Sequence, residues 1–269
     1  MKPWLGAMLV ALAILAAAPA HAGRSCETRK PTAQSIERGL MLAERALDAL
    51  EAEHGRTGAQ VVVLARAGQD LSKYGLRYSH LGFAYRTRDA AGQPTWRVLH
   101  KLNQCGTADA AIYRQGLGEF FLDDLWRHEA AWVVPTRAVQ ERLSALLRDE
   151  RQIMQMHHRP YSIVSYAWGL RYQQSNQWAA ETLAAAMEPG ANSRAQAQAW
   201  LQFKGYEPTT LRLGPLTRLG GRMSAANVAF DDHPNEKRFS DRIETVTVDS
   251  VFTWLRRAGL AGAPVTLRL

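Results

Sequence analysis

Apolar positions recur at three- and four-residue steps over residues 32–54, where Ile36, Leu40, Ala43, Leu47 and Leu50 form one stripe. That spacing predicts an amphipathic helix, with Gly55 as its stop. Residues 60–66 (QVVVLAR) form a short apolar run that reads as a buried strand. Residues 77–86 and 95–102 each alternate apolar and polar positions, and the turn-forming segment 89–94 (DAAGQP) separates them. They predict a β-hairpin whose strands bring His80 and His100 near each other. His100 shares its face with Trp96 and Val98, and His80 shares its face with Tyr78, Gly82 and Ala84.

Further along, residues 119–126 read as a short helix and 131–134 as a strand. Pro135-Thr136 opens a helix whose inner face is Val139, Leu143, Leu146 and Leu147. An aromatic-rich stretch, 161–172, leads to Ser175, which stands at the start of a strongly helical segment, 176–187, ended by Pro189-Gly190. A helix over 194–203 stops at Gly205. The last third predicts strands at 210–213, 227–230 and 243–248, then a helix capped by Asp249 and running to Arg257. Without repeats, low-complexity tracts or a clear linker, the pattern predicts one α+β domain over residues 23–269.

Residues 1–22 change the picture. Lys2, the apolar run 4–18 and the small-x-small ending Ala20-His21-Ala22 have the form of a cleaved secretory signal peptide. The expected location is the periplasm or the outside of the cell, with no integral membrane span left after cleavage. Export places both cysteines, Cys26 and Cys105, in an oxidising compartment, so a Cys26–Cys105 disulfide is expected; the rival reading makes Cys105 a nucleophile. The net charge of +8 is spread singly along the chain, with no basic tail. That argues against nucleic acid as a partner. It fits a solvated basic surface or a mild attraction to anionic lipid or cell wall.

Three residues carry candidate chemistry: His80 and His100 on neighbouring strands and Ser175 at a helix start. A nucleophilic hydrolase needs a nucleophile, a base within reach and a group that orients the base. A helix N-terminus adds free N–H groups that favour negative charge. Each residue also has a plain structural role open to it, Ser175 as a helix cap above all. Asp231-Asp232-His233 is either a divalent-metal fragment or a hydrogen-bonded turn, and the turn is preferred. His157-His158 reads as a cation pair at a helix C-terminus, and Tyr161, Tyr166, Trp168, Tyr172 and Trp178 read mostly as core, with some lining a groove. No cofactor or metal is expected; no nucleotide-binding glycine pattern is present.

The order of these motifs resembles the circularly permuted papain-like fold of lecithin:retinol acyltransferase-like proteins and of permuted relatives of NlpC-type cell-wall peptidases. Ser79-His80-Leu81-Gly82-Phe83 corresponds to the histidine strand, His100 to the polar residue of the next strand, and Tyr172-Gln173-Gln174-Ser175-Asn176-Gln177-Trp178 to the nucleophile segment. YSHLGF, LNQCG, YQQSNQW and NVAFDDHP also resemble an uncharacterised exported bacterial family, domain of unknown function 2145. The papain-like resemblance implies an antiparallel sheet packed against helices. It implies a hydrolase or acyltransferase acting on amide or ester bonds of the cell envelope, with a cell-wall peptide or lipid ester as ligand. Ser175 would be nucleophile, His80 base, His100 its orienter, and Tyr172 or the helix amides the oxyanion donors. Ser175 stands where those relatives carry Cys, so the alternative is an inactive periplasmic binding module that uses the same cleft.

Overall fold

The computed structural model describes residues 31–123 and 125–269. Residues 1–22 and Cys26, and with them the expected leader and one end of the expected disulfide, lie outside the described residues. Helix α1 (Ala33–Thr57) starts at Thr32, whose side chain accepts from the Ser35 amide, and ends at Gly58 in the left-handed conformation (φ 73°). Gly55 therefore lies inside the helix. The expected inner stripe is also corrected: Leu42, Ala43, Ala46 and Leu50 are buried, whereas Ile36, Leu40 and Leu47 are exposed.

Strands β1 (Val61–Arg66), β2 (His80–Arg88), β3 (Pro94–Asn103) and β4 (Ala110–Gly116) form successive antiparallel neighbours. Helix α2 (Leu117–Leu122) follows β4 directly. Strand β5 (Glu129–Val133) pairs with the other side of β1, and β8 (Val265–Arg268) pairs with β5. The resulting antiparallel sheet has the order β4-β3-β2-β1-β5-β8. Between β5 and β8 come helices α3 (Arg137–Leu146), α4 (Glu150–Gln155), α5 (Ser175–Met187) and α6 (Arg194–Phe203). Next come β6 (Thr209–Arg212), α7 (Pro215–Ser224), the short α8 (Asn235–Arg238), β7 (Arg242–Thr245) and α9 (Val248–Arg257). β6 and β7 pair as a separate two-stranded ribbon. The architecture is α+β, with helices on both faces of the sheet.

Strand alternation sorts the core into two layers. Val61, Val63, Ala65, Leu81, Phe83 and Leu99 pack with α3, α5 and α9, whereas Val62, Leu64, Ala84, Trp96 and Val98 pack with α1 and α2. A smaller cluster of Leu211, Leu213, Val228, Phe230 and Ile243 supports the ribbon.

Two further expectations differ. Residues 227–230 are irregular rather than a strand: Ala229 exchanges its hydrogen bonds with the Ser162 hydroxyl (2.9 and 3.1 Å), which satisfies the backbone without a ladder. The last helix is capped by Thr247, whose hydroxyl accepts from the Ser250 amide at 3.1 Å, and Asp249 sits in its first turn. Among the described residues no helix is long and apolar enough to cross a membrane.

Candidate active site

His80 and His100 project from β2 and β3 on the face that carries Gly82, Ala84, Trp96 and Val98, as the two-residue period requires, but Tyr78, expected with His80, precedes β2 and packs in the opposite layer, its hydroxyl donating to Glu129. That face is covered by α1 and α2, while the body of α5 lies on the other one. The histidine face therefore packs on α1 and α2 and not on the helix that Ser175 begins. Phe120 of α2 meets both imidazoles, with ring centroids 6.0 Å from His80 and 5.2 Å from His100.

The two rings are directly bonded. His80 Nε2 lies 2.8 Å from His100 Nδ1, and His100 Nε2 lies 2.8 Å from Gln115 Oε1. Burial, then the Arg66 guanidinium, drives the His100 pKa down to about 3. The same two causes, with His100 third, hold His80 well below the usual imidazole value. Both rings are therefore neutral near pH 7, and the protons can be placed. The Gln115 carbonyl oxygen only accepts, so His100 Nε2 donates to it. Neutral His100 then accepts at Nδ1, and His80 donates from Nε2. The His80 Nδ1 lone pair is left over, and no hydrogen bond among the described residues uses it.

Close approach of the strands depends on Gly82. A Cβ there would stand 2.7 Å from Val98 Cγ1 and 3.2 Å from His100 Cβ. Arg66 is held on the same face by the Phe120 carbonyl and the Asp123 carboxylate.

Ser175 is the first residue of α5, and Gln174 is the cap, its side chain accepting from the Asn176 amide at 2.8 Å. The segment before Ser175 is held by buried side chains. Arg194, paired with Glu181 at 2.8 Å, donates to the carbonyls of Gly169, Leu170 and Tyr172. Gln177 donates to those of Tyr166 and Ala167.

The link to the histidines runs through Asn176. Its Oδ1 accepts from the Leu81 amide at 2.8 Å, and its Nδ2 donates to the Ser79 carbonyl at 3.2 Å. One side chain thus clamps the peptide groups on either side of His80, next in sequence to Ser175. Among the described residues no hydrogen bond joins Ser175 to either histidine.

Tyr172 does not belong to this group. Its phenol is turned to Asp231 and Arg171, and burial, then the Asp231 charge, raises its pKa. The tyrosine beside Ser175 is Tyr161, whose phenol is pushed up by burial and pulled back by the Ser175 hydroxyl and amide. Tyr161 is buried, as expected of a core aromatic, and its hydroxyl still reaches Ser175. Asn176 and Gln115 were missed, although Asn176 is adjacent to Ser175; nothing in the pattern around Gln115 marks it.

The acidic and histidine residues of the 231–233 segment have ordinary partners, whereas His157 Nδ1 is buried without a hydrogen bond among the described residues. Asp232 accepts from the Tyr166 amide at 2.8 Å and lies 3.0 Å from His233 Nδ1, and Asp231 pairs with Arg171 at 2.8 Å. Among the described residues no group of three acidic, histidine or cysteine side chains is placed to hold a metal. His158 Nε2 lies 3.0 Å from the Arg171 carbonyl, and burial lowers the pKa of both imidazoles, that of His157 to about 4, so the pair is not the expected cation pair. Behind the sheet Lys101 is fully buried and donates to the His158 carbonyl (2.5 Å) and Gln173 Oε1 (2.6 Å). Cys105 occupies the exposed turn between β3 and β4. A cleft of about 330 Å³, lined by Leu102, Asn103, Gln115, Glu119, Leu122 and Asp123, opens at the Gln115 end of the relay.

No curated protein and no solved structure matches the chain. A family model does match, over residues 53–255, a span that takes in the histidine strands, the Asn176 clamp and Ser175. The chain belongs to that family, an uncharacterised protein conserved in bacteria, domain of unknown function 2145.

Proposed function

We propose that this protein is an exported acyl-transfer enzyme of papain-like design, a hydrolase or acyltransferase acting on amide or ester bonds of the cell envelope. Ser175 is its nucleophile, His80 its base and His100 the group that orients the base. The observation that carries the reading is the direction of the relay: Gln115 and His100 consume one side of His80 and leave the Nδ1 lone pair unused. A base oriented through one nitrogen and free at the other is what proton abstraction from a nucleophile needs. The Asn176 clamp supports it by tying the His80 backbone to the residue after Ser175.

In the reaction Ser175 Oγ attacks the acyl carbon while its proton passes to His80 Nδ1. The oxyanion is received by the Tyr161 hydroxyl and the Ser175 amide at the start of α5, in the role first expected of Tyr172. His80 returns the proton to the departing amine or alkoxide, leaving an acyl-serine. Water, or an acceptor hydroxyl or amine, then attacks the acyl carbon while giving its proton to His80; the bond from the acyl carbon to Ser175 Oγ breaks, and His80 returns that proton to Ser175 Oγ. Water makes the protein a hydrolase; an acceptor makes it an acyltransferase. The body of α5 lies on the face opposite the histidines and no hydrogen bond among the described residues joins Ser175 to His80, so this reading requires their contact to form in the substrate complex, where bonds between nucleophile and base commonly tighten.

A second reading, an inactive binding module using the same cleft, is favoured by one observation: the base is strongly weakened by burial and Arg66, and a serine hydroxyl depends on its base more than a thiol does. Labelling with a fluorophosphonate probe separates the two. Labelling that Ser175→Ala abolishes and His80→Ala strongly slows supports the enzyme. A folded protein that takes up no probe supports the binding module.

A further inference from the structure

Helix α7 is built inside out. Leu216, Leu219 and Met223 recur at i, i+3 and i+7, which places them on one stripe of the helix. In a helix that packs on a core, such a stripe faces inward. Here Leu216 is 85% and Met223 80% exposed, Leu219 is also exposed, and Gly221 is the buried residue of the helix. The opposite side carries Arg218, which holds the helix down by donating to the Leu213 and Arg238 carbonyls and pairing with Asp241 at 2.9 Å. The apolar ridge therefore points straight into solvent. Phe239, at the end of α8, adds a ring that is 71% exposed and lies beside the Arg238 guanidinium, 4.8 Å from centroid to Cζ. The Arg218 contacts place that turn next to α7.

A second, independent observation concerns charge. In the β6–β7 ribbon Arg212 stands directly opposite Arg242. Like charges in opposed positions on one face of a ribbon repel each other. Both are exposed, and neither forms an ion pair among the described residues. Arg212 lies three residues before α7 and Arg242 three residues after Phe239. Arg222 is exposed on α7 itself. This region thus presents an apolar ridge flanked in the chain by exposed Arg212, Arg222 and Arg242, with Glu236 and the Arg218-paired Asp241 as its nearby acids, and an anionic partner would relieve the opposed arginines.

We propose that α7 and Phe239 dock this protein on an anionic lipid bilayer. The ridge enters the boundary between headgroups and acyl chains, and Arg212, Arg222 and Arg242 contact lipid phosphates. Apolar side chains on one side of a short helix with cations around them are the pattern of interfacial attachment, in which buried apolar area and attraction to anionic lipid add. The occupant is a bilayer rather than a second copy of the chain, because self-docking would bring the unpaired arginines of two copies together.

The test is co-sedimentation of the purified protein with vesicles of phosphatidylglycerol or of phosphatidylcholine alone, for wild type and for Leu216→Ser/Leu219→Ser/Met223→Ser. These side chains are outside the core, so near-ultraviolet circular dichroism of the variant should match wild type. Wild type should bind phosphatidylglycerol vesicles at least about tenfold better than phosphatidylcholine, and the variant should lose about tenfold or more of that binding. Equal binding by the variant would assign attachment to another part of the chain and overturn the proposal. Absence of wild-type binding would overturn it as well. A wild-type mass in light scattering that is twice the variant's would show that the ridge is covered by a second copy instead.

Discussion

His80 Nε2 and His100 Nδ1 lie 2.8 Å apart across β2 and β3, and the rings meet edge to face at 74°. Nitrogen-to-nitrogen bonding at this distance requires one donor and one acceptor, so the pair cannot be doubly protonated. Nitrogen chemical shifts should therefore show His80 as its Nε2–H tautomer and His100 as its Nε2–H tautomer, both unchanged between about pH 5 and 8. A positively charged imidazole at either position in that range would contradict the proton assignment.

The same burial makes folding sensitive to acid. Both histidine pKa values are lowered in the folded state, His100 to about 3. Below the unfolded value, about 6.5, the unfolded chain binds protons that the native rings refuse. Stability contributed by neutrality is thus present above pH ~6.5 and is lost as the pH falls toward the folded values, by up to about 1.4 kcal/mol per pH unit for each ring. Urea midpoints between pH 7 and 5 should fall for wild type and fall less steeply for His100→Gln. Parallel slopes would refute the assignment of the acid sensitivity to this pair.

Asn176→Ala leaves the Leu81 amide and the Ser79 carbonyl without the partner that now serves both. The expected loss is about 1–3 kcal/mol per orphaned group if water does not reach it. Denaturant unfolding measures it, and a change under about 0.5 kcal/mol, the range of an ordinary surface substitution, would show that the clamp is not holding β2.

Gly82→Ala puts a methyl group 2.7 Å from Val98 Cγ1, which is too close without movement of β3. Overpacking of this kind costs about 1–3 kcal/mol, and Gly82→Ala/Val98→Ala should recover part of it. A Gly82→Ala variant as stable as wild type, with His100 shifts unchanged, would contradict the close packing described.

The hairpin and its histidine face were readable from sequence because β2 and β3 alternate strictly, and a period of two fixes which side chains meet. Face pairing could not be read, since either apolar layer could cover the even-numbered positions. Helix α1 shows the same difficulty: with Ile36, Leu40 and Leu47 on one side and Leu42, Ala46 and Leu50 on another, the pattern has two candidate stripes and tertiary contacts choose between them. Strands β4 and β8 escaped because AAIYRQG and VTLR lie at the sheet edges, where burial imposes little alternation. Helix α7 escaped because two glycines interrupt it and its ridge faces outward. The histidines and Ser175 stood out by residue type and order, whereas Tyr161 was hidden among core aromatics and Gln115 had no local signal.

The central claim, that Ser175 and His80 act together, is tested most directly with Ser175→Cys. The thiol would sit at the start of α5, beside the Asn176 clamp on the His80 backbone, and in the proposed site the helix start and the unused His80 nitrogen would both stabilise its thiolate. The measurement is the rate of iodoacetamide alkylation against pH, in Ser175→Cys and in Ser175→Cys/His80→Ala. The account predicts a thiol pKa below the ordinary value of about 8.5 in the first and a sluggish thiol at neutral pH in the second. A thiol that is unreactive, or equally reactive with and without His80, would contradict it and leave Ser175 as a structural start to its helix.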